Sequence, residues 1–268
     1  MFGETLIDEY PSERVVAGAP LHVAAHLAAR GWRARLITRV GDDPDGRQIV
    51  ATATGLDIDV NLVEVDPVLP TGVTAITLDG DRHHFEVRHP AAWDVVLGPD
   101  PVPPHDALIF GSLPLRDPTA AATLWRLIGA SSGFIVLDAN LRPPWVDHAA
   151  LTRLVAAVDL LKVNTDEAAT LGERLKGPKW VCITRGADGA LLRRRSGHEW
   201  VVPGIATAVV DTVGAGDAFL AVLVDGLVSG DDPGATLAEA NRVAARTLGQ
   251  RGGLPSVPPA PTRPDVSE

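Results

Sequence analysis

The chain of 268 residues contains a single cysteine, Cys182, so no disulfide can form within it. That residue lies in the apolar run "WVCIT", which is typical of a buried structural thiol, and the lack of disulfides favours a reducing compartment. No apolar run reaches the ~18 residues of a membrane-spanning helix. The acidic start "MFGETLIDEY" lacks the basic region of a signal peptide. We therefore expect a cytoplasmic location.

Positive charge is also scarce, with 24 Lys and Arg residues against 34 Asp and Glu and a formal net charge of −10. This balance argues against a nucleic-acid partner, which is usually bound through a basic face. It leaves nucleotides open, because backbone amides and a few cations suffice to hold phosphates. The G-x-x-x-x-G-K-[ST] phosphate loop and the G-x-G-x-x-G dinucleotide fingerprint are both missing.

Short β-rich runs alternate with helical patterns along most of the chain. The runs "DALIFGS", "FIVLDAN", "DLLKVN" and "KWVCITRG" are buried-strand patterns, and helical patterns separate the first three. This rhythm predicts an α/β fold with a mostly parallel central sheet and helices on both faces. We expect one domain over 1–257 and a disordered proline-rich tail over 258–268.

The region 61–96 breaks this rhythm, because its β-rich runs have no helix between them. Together with 10–17 it predicts a small β-sheet beside the main domain. That sheet is either a lid over a pocket or an extension of the main sheet at its edge.

The stretch "AVVDTVGAGDAFLAVLVDGL" (208–227) carries the clearest chemical signal. Apolar residues at helical spacing predict a helix that begins near Asp217. Gly214 and Gly216 permit a tight turn before it, and the free amides of Ala215, Gly216 and Asp217 then form an anion site. A carboxylate beside such a site suits a general base that takes a proton from a hydroxyl attacking phosphorus. The alternative is a helix-capping acid.

The segment "DTVGAGDAF" resembles the C-terminal signature of the ribokinase-like sugar kinases, the PfkB family. The segments "AGAPLHVAAHLAARG…TRVGDDPDG", "DANLRPPW", "LLKVNTDEA" and "TRGADGALL" are similar to family landmarks in the expected order, and the resemblance covers 3–256. The segments "GETLIDEYP" and "AAWD" look closest to the fructokinase-like branch. The resemblance implies a ribokinase-like three-layer α/β/α fold with a β-sheet lid. It also implies transfer of the γ-phosphoryl group of ATP to a sugar hydroxyl, usually a primary one.

By this resemblance, Asp217 is the catalytic base, and Gly214, Ala215 and Gly216 form the anion hole. The pattern N-x-x-E falls on Asn164 and Glu167, which in the family order Mg²⁺ and its waters. The alternative is a helix N-cap, Asn164 or Thr165, followed by acids in the first turn.

The resemblance also assigns the nucleotide and monovalent-cation sites. ATP-binding positions are Thr184, Gly186, Gly189, Thr212 and Asn241. Taken alone, "TRGADGA" is a strand-turn-strand hairpin, and Asn241 is an exposed asparagine on a helix. The positions that match a K⁺ site are Asp211, Val213, Gly252 and Ser256.

On the sugar side, the resemblance assigns Asp8, Gly18, His22 and Arg142 to the substrate, and the alternative for Arg142 is a surface arginine. The chain departs from the family at two of these neighbouring positions. Ala17 replaces a glycine, and His22 replaces an asparagine that offers a donor and an acceptor together. The identity of the sugar therefore does not follow from the resemblance.

Three hypotheses follow from the sequence. The first is a fructokinase-like sugar kinase that uses ATP, Mg²⁺ and K⁺, with the homodimer through the lid that is common in the family. The second is a kinase of the same family for 2-keto-3-deoxygluconate, ribose or a nucleoside; a keto acid would need a cation, for which Arg88, Arg116 and Arg142 are candidates. The third is a sugar or nucleotide sensor without catalysis.

Overall fold

The structure is a computed structural model that describes residues 1–79 and 82–255. For residues 78, 79 and 82–85 it describes the backbone alone. The strands are β1 (Leu6–Glu9), β2 (Arg14–Ala17), β3 (Thr38–Gly41), β4 (Val63–Asp66), β5 (Gly72–Asp79), β6 (Arg82–Val87), β7 (Ala107–Gly111), β8 (Phe134–Asp138), β9 (Leu160–Asn164), β10 (Trp180–Thr184), β11 (Ala190–Arg194) and β12 (Glu199–Val202). The α-helices are α1 (Ala19–Ala28), α2 (Pro44–Gly55), α3 (Pro118–Ala130), α4 (His148–Ala156), α5 (Thr165–Leu171), α6 (Ala215–Ser229) and α7 (Pro233–Leu248).

The central sheet has the strand order β12-β11-β10-β9-β8-β7. Strands β7 to β10 run parallel to one another, whereas β11 and β12 pair antiparallel. Isolated parallel bridges from Phe2 to Phe110 and Ile37 continue the sheet beyond β7. The fold class predicted from the sequence, a ribokinase-like α/β domain, is confirmed.

Alternation along the parallel strands produces two hydrophobic cores, one on each face of the sheet. Successive side chains of a strand point to opposite faces. Leu160 accordingly packs with α1, α6 and α7, whereas Leu161 packs with α3 and α4. Both side chains are fully buried, so the apolar run of β9 is a strand covered on both faces.

The lid is a four-stranded sheet with the order β2-β1-β5-β6. It contains most of the strands that the sequence predicted there, with two corrections. β1 belongs to this sheet although Leu6–Glu9 lies outside the predicted ranges 10–17 and 61–96. Within the predicted range 61–96, β4 pairs parallel with β3 in a separate two-stranded sheet, with Val63 opposite Thr38. The reason is that α2 lies between β3 and β4 in sequence, and such a crossover returns the chain to a parallel neighbour.

The sequence analysis did not predict α4 and β12, which are short, with nine and four residues. The predicted tail at 258–268 lies outside the described residues. Among the described residues, no helix combines the length and apolar character that a membrane crossing requires.

Candidate active site

A cavity of about 300 Å³ lies where the lid meets the carboxyl ends of the central strands. Open parallel sheets usually bind ligands at this edge. The lid contributes Asp8 and Thr74, the sheet contributes Asp138 and Lys162, and the N-terminus of α6 closes one side.

The residues predicted to form the anion hole, Gly214, Ala215 and Gly216, lie at the N-terminus of α6. Gly214 precedes the helix with φ of 76°, and a Cβ there would approach the Cα atom of Gly253 to 2.1 Å. The first helical hydrogen bond runs from the amide of Ala218 to the Gly214 carbonyl. The amides of Ala215, Gly216 and Asp217 therefore have no partner within the helix and are available to an anion.

Asp217 lines this cavity from the first turn of α6, as the sequence predicted. Its Oδ2 atom lies 2.9 Å from Nδ1 of His22 on α1. Both side chains are largely enclosed, with exposed fractions of 13% for Asp217 and 4% for His22. His22 thus reaches the cavity, but its hydrogen bond is made to the predicted base.

A buried ion pair, which sequence reasoning missed, lies beside the anion hole. Nζ of Lys162 lies 2.7 Å from Oδ2 of Asp138, and both residues line the cavity. Burial, the largest single effect, lowers the pKa of Lys162, but Asp138 together with the nearby Asp217 and Glu167 carboxylates raises it, and the net pKa is raised. A Cβ on Gly216 would lie 3.3 Å from that ammonium. The available signal was a lysine within the buried run "DLLKVN".

The predicted sugar-side residues Asp8, Gly18 and Arg142 all line the cavity. Gly18 has φ of 122°, and a Cβ there would approach the carbonyl oxygen of Glu4 to 2.6 Å. Burial is the main cause that raises the pKa of Asp8 to about 6. Arg142 is exposed, and its described hydrogen bond goes to the neighbouring carbonyl of Leu141.

Glu4 is a further acid at the cavity that sequence reasoning missed. It is 5% exposed, and its Oε2 atom has no hydrogen-bond partner among the described residues. Burial raises its pKa to about 7. The residue therefore keeps its proton over much of the range in which an ordinary glutamate is charged.

The other two arginines that were candidates to bind a substrate carboxylate, Arg116 and Arg88, form ion pairs with acids of the chain itself. Arg116 makes two hydrogen bonds to Asp94, at 2.7 and 2.9 Å, and its guanidinium lies 3.8 Å from the centre of the Trp93 ring. Arg88 pairs with Glu9 on the lid. Of the three candidates, Arg142 alone lines the cavity in the part of the chain that the structure describes.

Of the predicted nucleotide-side residues, Thr212 lines the cavity, and the others follow in chain order from the end of β10 to α7. Thr184 ends β10 directly opposite Asn164 on β9. Gly186 and Gly189 follow with φ of 55° and 88°. Nδ2 of Asn241 donates to the carbonyl of Pro203 at 2.8 Å, and Pro203 packs against Gly189.

Asn164 and Glu167 form a complete capping box at the start of α5. Oδ1 of Asn164 accepts from the Glu167 amide at 2.9 Å, and Oε2 of Glu167 accepts from the Asn164 amide at 2.8 Å. Oε1 of Glu167 also accepts from the amide of Leu141 at 2.8 Å. In the described residues, no cluster of three or more His, Cys, Asp or Glu side chains could hold a metal directly. These two residues therefore suit a hydrated ion, contacted through water, because each carboxylate oxygen keeps a second lone pair.

Asp211 connects the segments assigned to the monovalent cation. Its Oδ1 accepts from the amide of Val213 at 3.0 Å, and its Oδ2 accepts from the amide of Gly252 at 2.9 Å. Of the four predicted positions, Val213 and Gly252 thus lie around the carboxylate of a third, Asp211. The fourth, Ser256, lies outside the described residues.

The chain is similar in sequence to known carbohydrate kinases. The family model described as pfkB family carbohydrate kinase matches residues 12–260. The fructokinase of Klebsiella pneumoniae is 30% identical, with 85% of this chain and 84% of that protein covered. The aminoimidazole riboside kinase of Salmonella typhimurium is 30% identical, with 84% and 79% covered. The 2-dehydro-3-deoxygluconokinase of Thermoproteus tenax is 30% identical, with 92% and 83% covered.

Solved structures show the same similarity. A sugar kinase from Pyrococcus horikoshii in complex with ATP has a TM-score of 0.89 and 27% identity, with 96% of this chain and 94% of that chain covered. The fructokinase of Vibrio cholerae O395 with fructose, ADP and calcium has a TM-score of 0.84 and 25% identity, with 96% and 94% covered.

Proposed function

Because the chain belongs to the pfkB family of carbohydrate kinases, we propose that it transfers the γ-phosphoryl group of ATP to a primary hydroxyl of a fructose-like sugar. The chain is a sugar kinase, a phosphotransferase with an alcohol group as acceptor. The observation that carries the proposal is the Asp217 carboxylate in the first turn of α6, beside three free amides and inside the cavity.

In the proposed reaction, the sugar hydroxyl lies between Asp217 and the γ-phosphorus. Asp217 takes the hydroxyl proton as the oxygen forms its bond to phosphorus, and the bond from phosphorus to the bridging β-phosphate oxygen breaks. Oδ2 of Asp217 faces His22, and Oδ1 has no hydrogen bond to the described residues. Oδ1 is therefore the atom assigned to the proton.

The amides of Ala215, Gly216 and Asp217 would stabilise the charge on the transferred group. Lys162 lies behind them, and its charge is maintained by Asp138. Charge fixed at a position where negative charge develops is an efficient source of catalysis, because no reorganisation is needed during the reaction.

We assign a hydrated Mg²⁺ to Asn164 and Glu167. When bound, the ion would neutralise charge on the nucleotide phosphates. The chain would hold this ion with two fixed side chains. The capping box fixes Asn164 and Glu167, and the hydrogen bond from the Leu141 amide fixes Glu167 further. We further propose a K⁺ site around Asp211, Val213 and Gly252, which would support the turn at Gly214.

Asp8, Gly18 and Arg142 are the proposed sugar contacts in the cavity. A carboxylate accepts two hydrogen bonds from a diol, and Gly18 permits a close approach of the backbone. The second candidate substrate is a keto acid such as 2-keto-3-deoxygluconate. Arg142 favours it as a cation at the cavity, and the Thermoproteus tenax relative is a kinase for that class.

Two broader properties belong to the proposal. The lid sheet ends in two edge strands, β2 and β6, and we propose that a second copy of the chain pairs there to form a homodimer. The buried free thiol of Cys182 suits a reducing cytosol.

The proposal is tested by ADP release over a panel of fructose, ribose, aminoimidazole riboside and 2-keto-3-deoxygluconate, with ATP, Mg²⁺ and K⁺. We expect turnover on one sugar, and Asp217→Asn to lower kcat by about 10²–10⁴-fold with ATP still bound. Asp231→Asn, an exposed acid just beyond the other end of α6, is the matched control. A near-normal rate in Asp217→Asn would remove this residue from the mechanism, and ATP binding without turnover on any sugar would favour a sensor.

A further inference from the structure

His22 stands at a position that the family resemblance assigns to sugar contact, yet its hydrogen bond is made to Asp217. The two residues are far apart in the sequence, on α1 and α6, and these helices pack against each other. The separation between Nδ1 of His22 and Oδ2 of Asp217 is 2.9 Å. A contact of this length between an imidazole and a carboxylate is a full hydrogen bond.

The direction of this hydrogen bond follows from the chemistry of the base. A carboxylate that is ready to take a proton can only accept, so Nδ1 of His22 must donate. The neutral imidazole then carries its proton on Nδ1, and Nε2 becomes an acceptor. Nε2 has no hydrogen bond to the described residues, and His22 lines the cavity.

The imidazole ring is held in this position by the loop around Gly253. A Cβ on Gly253 would lie 2.7 Å from both Cε1 and Nδ1 of His22. The same loop is fixed from the next turn of α1, where Nε2 of His26 lies 3.0 Å from the Gly253 carbonyl oxygen. The ring therefore has little room to turn away from Asp217 unless the loop moves.

We propose that His22 is a positioning residue for Asp217, which fixes the rotamer of the catalytic carboxylate through its Nδ1 donor and makes phosphoryl transfer depend on the charge of the imidazole. The inference rests on the proposed role of Asp217 as base. It changes the role of His22 from sugar contact to support of the base.

An asparagine at this position would keep the hydrogen bond to Asp217 without the charge of the imidazole. Nδ2 of asparagine and Nδ1 of histidine are each one bond beyond Cγ, so both place a donor at the same distance along the side chain. Asparagine has no proton to gain near neutral pH, whereas histidine changes charge in that range. His22→Asn should therefore keep the positioning and remove the pH dependence.

Several charged groups surround this pair and share its electrostatics. Asp8 on β1 and His26 on α1 act on His22, and Glu4, Asp138 and Lys162 act on Asp217. A protonated His22 would stabilise the Asp217 carboxylate and make it a weaker base.

The experiment compares His22→Asn and His22→Leu with the unchanged chain, using the sugar that gives turnover. We expect His22→Leu to lower kcat at least about 10-fold while KM for the sugar changes less than about 3-fold. We expect His22→Asn to keep kcat within about 3-fold and to lose one ionisation from the pH profile of kcat. Unchanged kcat in His22→Leu, or an effect on sugar KM alone, would overturn the inference.

His26→Gln is the matched control, because the glutamine amide can reach the same Gly253 carbonyl. Burial lowers the pKa of His26, so this ring stays neutral where activity is measured. We expect this variant to keep the pH profile of the unchanged chain. The same loss of an ionisation in His26→Gln would contradict the assignment to His22.

A second measurement does not depend on turnover. Nitrogen-15 NMR of the histidine rings in the unchanged chain, assigned with His22→Asn, should show His22 as the Nδ1–H tautomer. The Nε2–H tautomer would overturn the inference. If no sugar is phosphorylated, the proposed function fails whatever the tautomer; turnover with the wrong tautomer fails this inference alone.

Discussion

Three buried acids and one buried lysine line the cavity. Glu4, Asp8, Asp138 and Lys162 are each less than 10% exposed, although acids and lysines are rarely buried without partners. Asp138 and Lys162 neutralise one another, whereas Oε2 of Glu4 has no partner among the described residues. The chain thus keeps polar groups where a ligand can use them, at a cost to its own stability.

That cost can be measured at Glu4. Burial raises its pKa from 4.5 to about 7, so its contribution to stability is complete below pH 4.5 and is lost as pH rises through 7. Glu4→Gln stays neutral throughout. At pH 8 we expect this variant to have a free energy of unfolding higher than that of the unchanged chain, by on the order of 3 kcal/mol at most, and so to unfold at a higher temperature. At pH 4 we expect both to unfold at the same temperature.

Thermal unfolding followed by circular dichroism at both pH values is the measurement. Glu173→Gln serves as the control, because Glu173 is 86% exposed in its side chain. A difference between Glu4→Gln and the unchanged chain that does not vary with pH would contradict the cause assigned here.

At the scale of elements, the N-termini of α6 and α5 carry residues proposed to act on phosphate, and they differ in how their backbone amides are used. α6 offers free amides, because Gly214 caps it without a side chain. At the start of α5, Asn164 and Glu167 each accept a hydrogen bond from the other's backbone amide. The first arrangement suits an anion held directly, and the second suits an ion held through water.

The two roles of Asn164 can be separated by substitution. Asn164→Ala should lower the free energy of unfolding by about 1 kcal/mol, because the cap is lost. Asn164→Ser should restore most of that stability, since serine caps helices about as well as asparagine. We expect both variants to need more Mg²⁺ for half-maximal activity, because neither carries the amide group.

Urea unfolding without nucleotide gives the first quantity, and a Mg²⁺ titration of activity gives the second. If Asn164→Ser restores the Mg²⁺ requirement along with the stability, Asn164 serves the helix alone.

At the scale of the whole molecule, the cavity exists only where the lid sheet meets the main domain. Asp8 reaches it from β1 of the lid, and Asp217 reaches it from α6. A sugar that contacts both would fix one part against the other and shield the transferred group from water. The binding of sugar and nucleotide should then be coupled.

This coupling is expected in thermal unfolding with a non-hydrolysable ATP analogue and the active sugar. Each ligand alone should raise the unfolding temperature, and both together should raise it by more than the sum, equivalent to about 1–3 kcal/mol of coupling. Asp8→Asn should lose the sugar increment and keep the nucleotide increment. Additive increments in the unchanged chain would show that the lid and main domain bind their ligands independently.

The sequence by itself determined the features that depend on neighbouring residues. Hydrophobic period marked most strands and helices, glycine marked the turn at Gly214, and "DTVGAGDAF" placed Asp217 in a first helical turn. These signals are local, because backbone dihedrals and amphipathic faces are set within a few residues. The fold class and the sugar-kinase family followed from them and from the resemblance they carry.

Only the tertiary structure decided which distant residues meet. It paired β4 with β3 and not with the lid, and it joined Lys162 to Asp138 across two strands. It also brought His22 to Asp217 over 195 residues of sequence. Such contacts depend on how helices and strands pack around a shared core, and no local pattern in the chain specifies that packing.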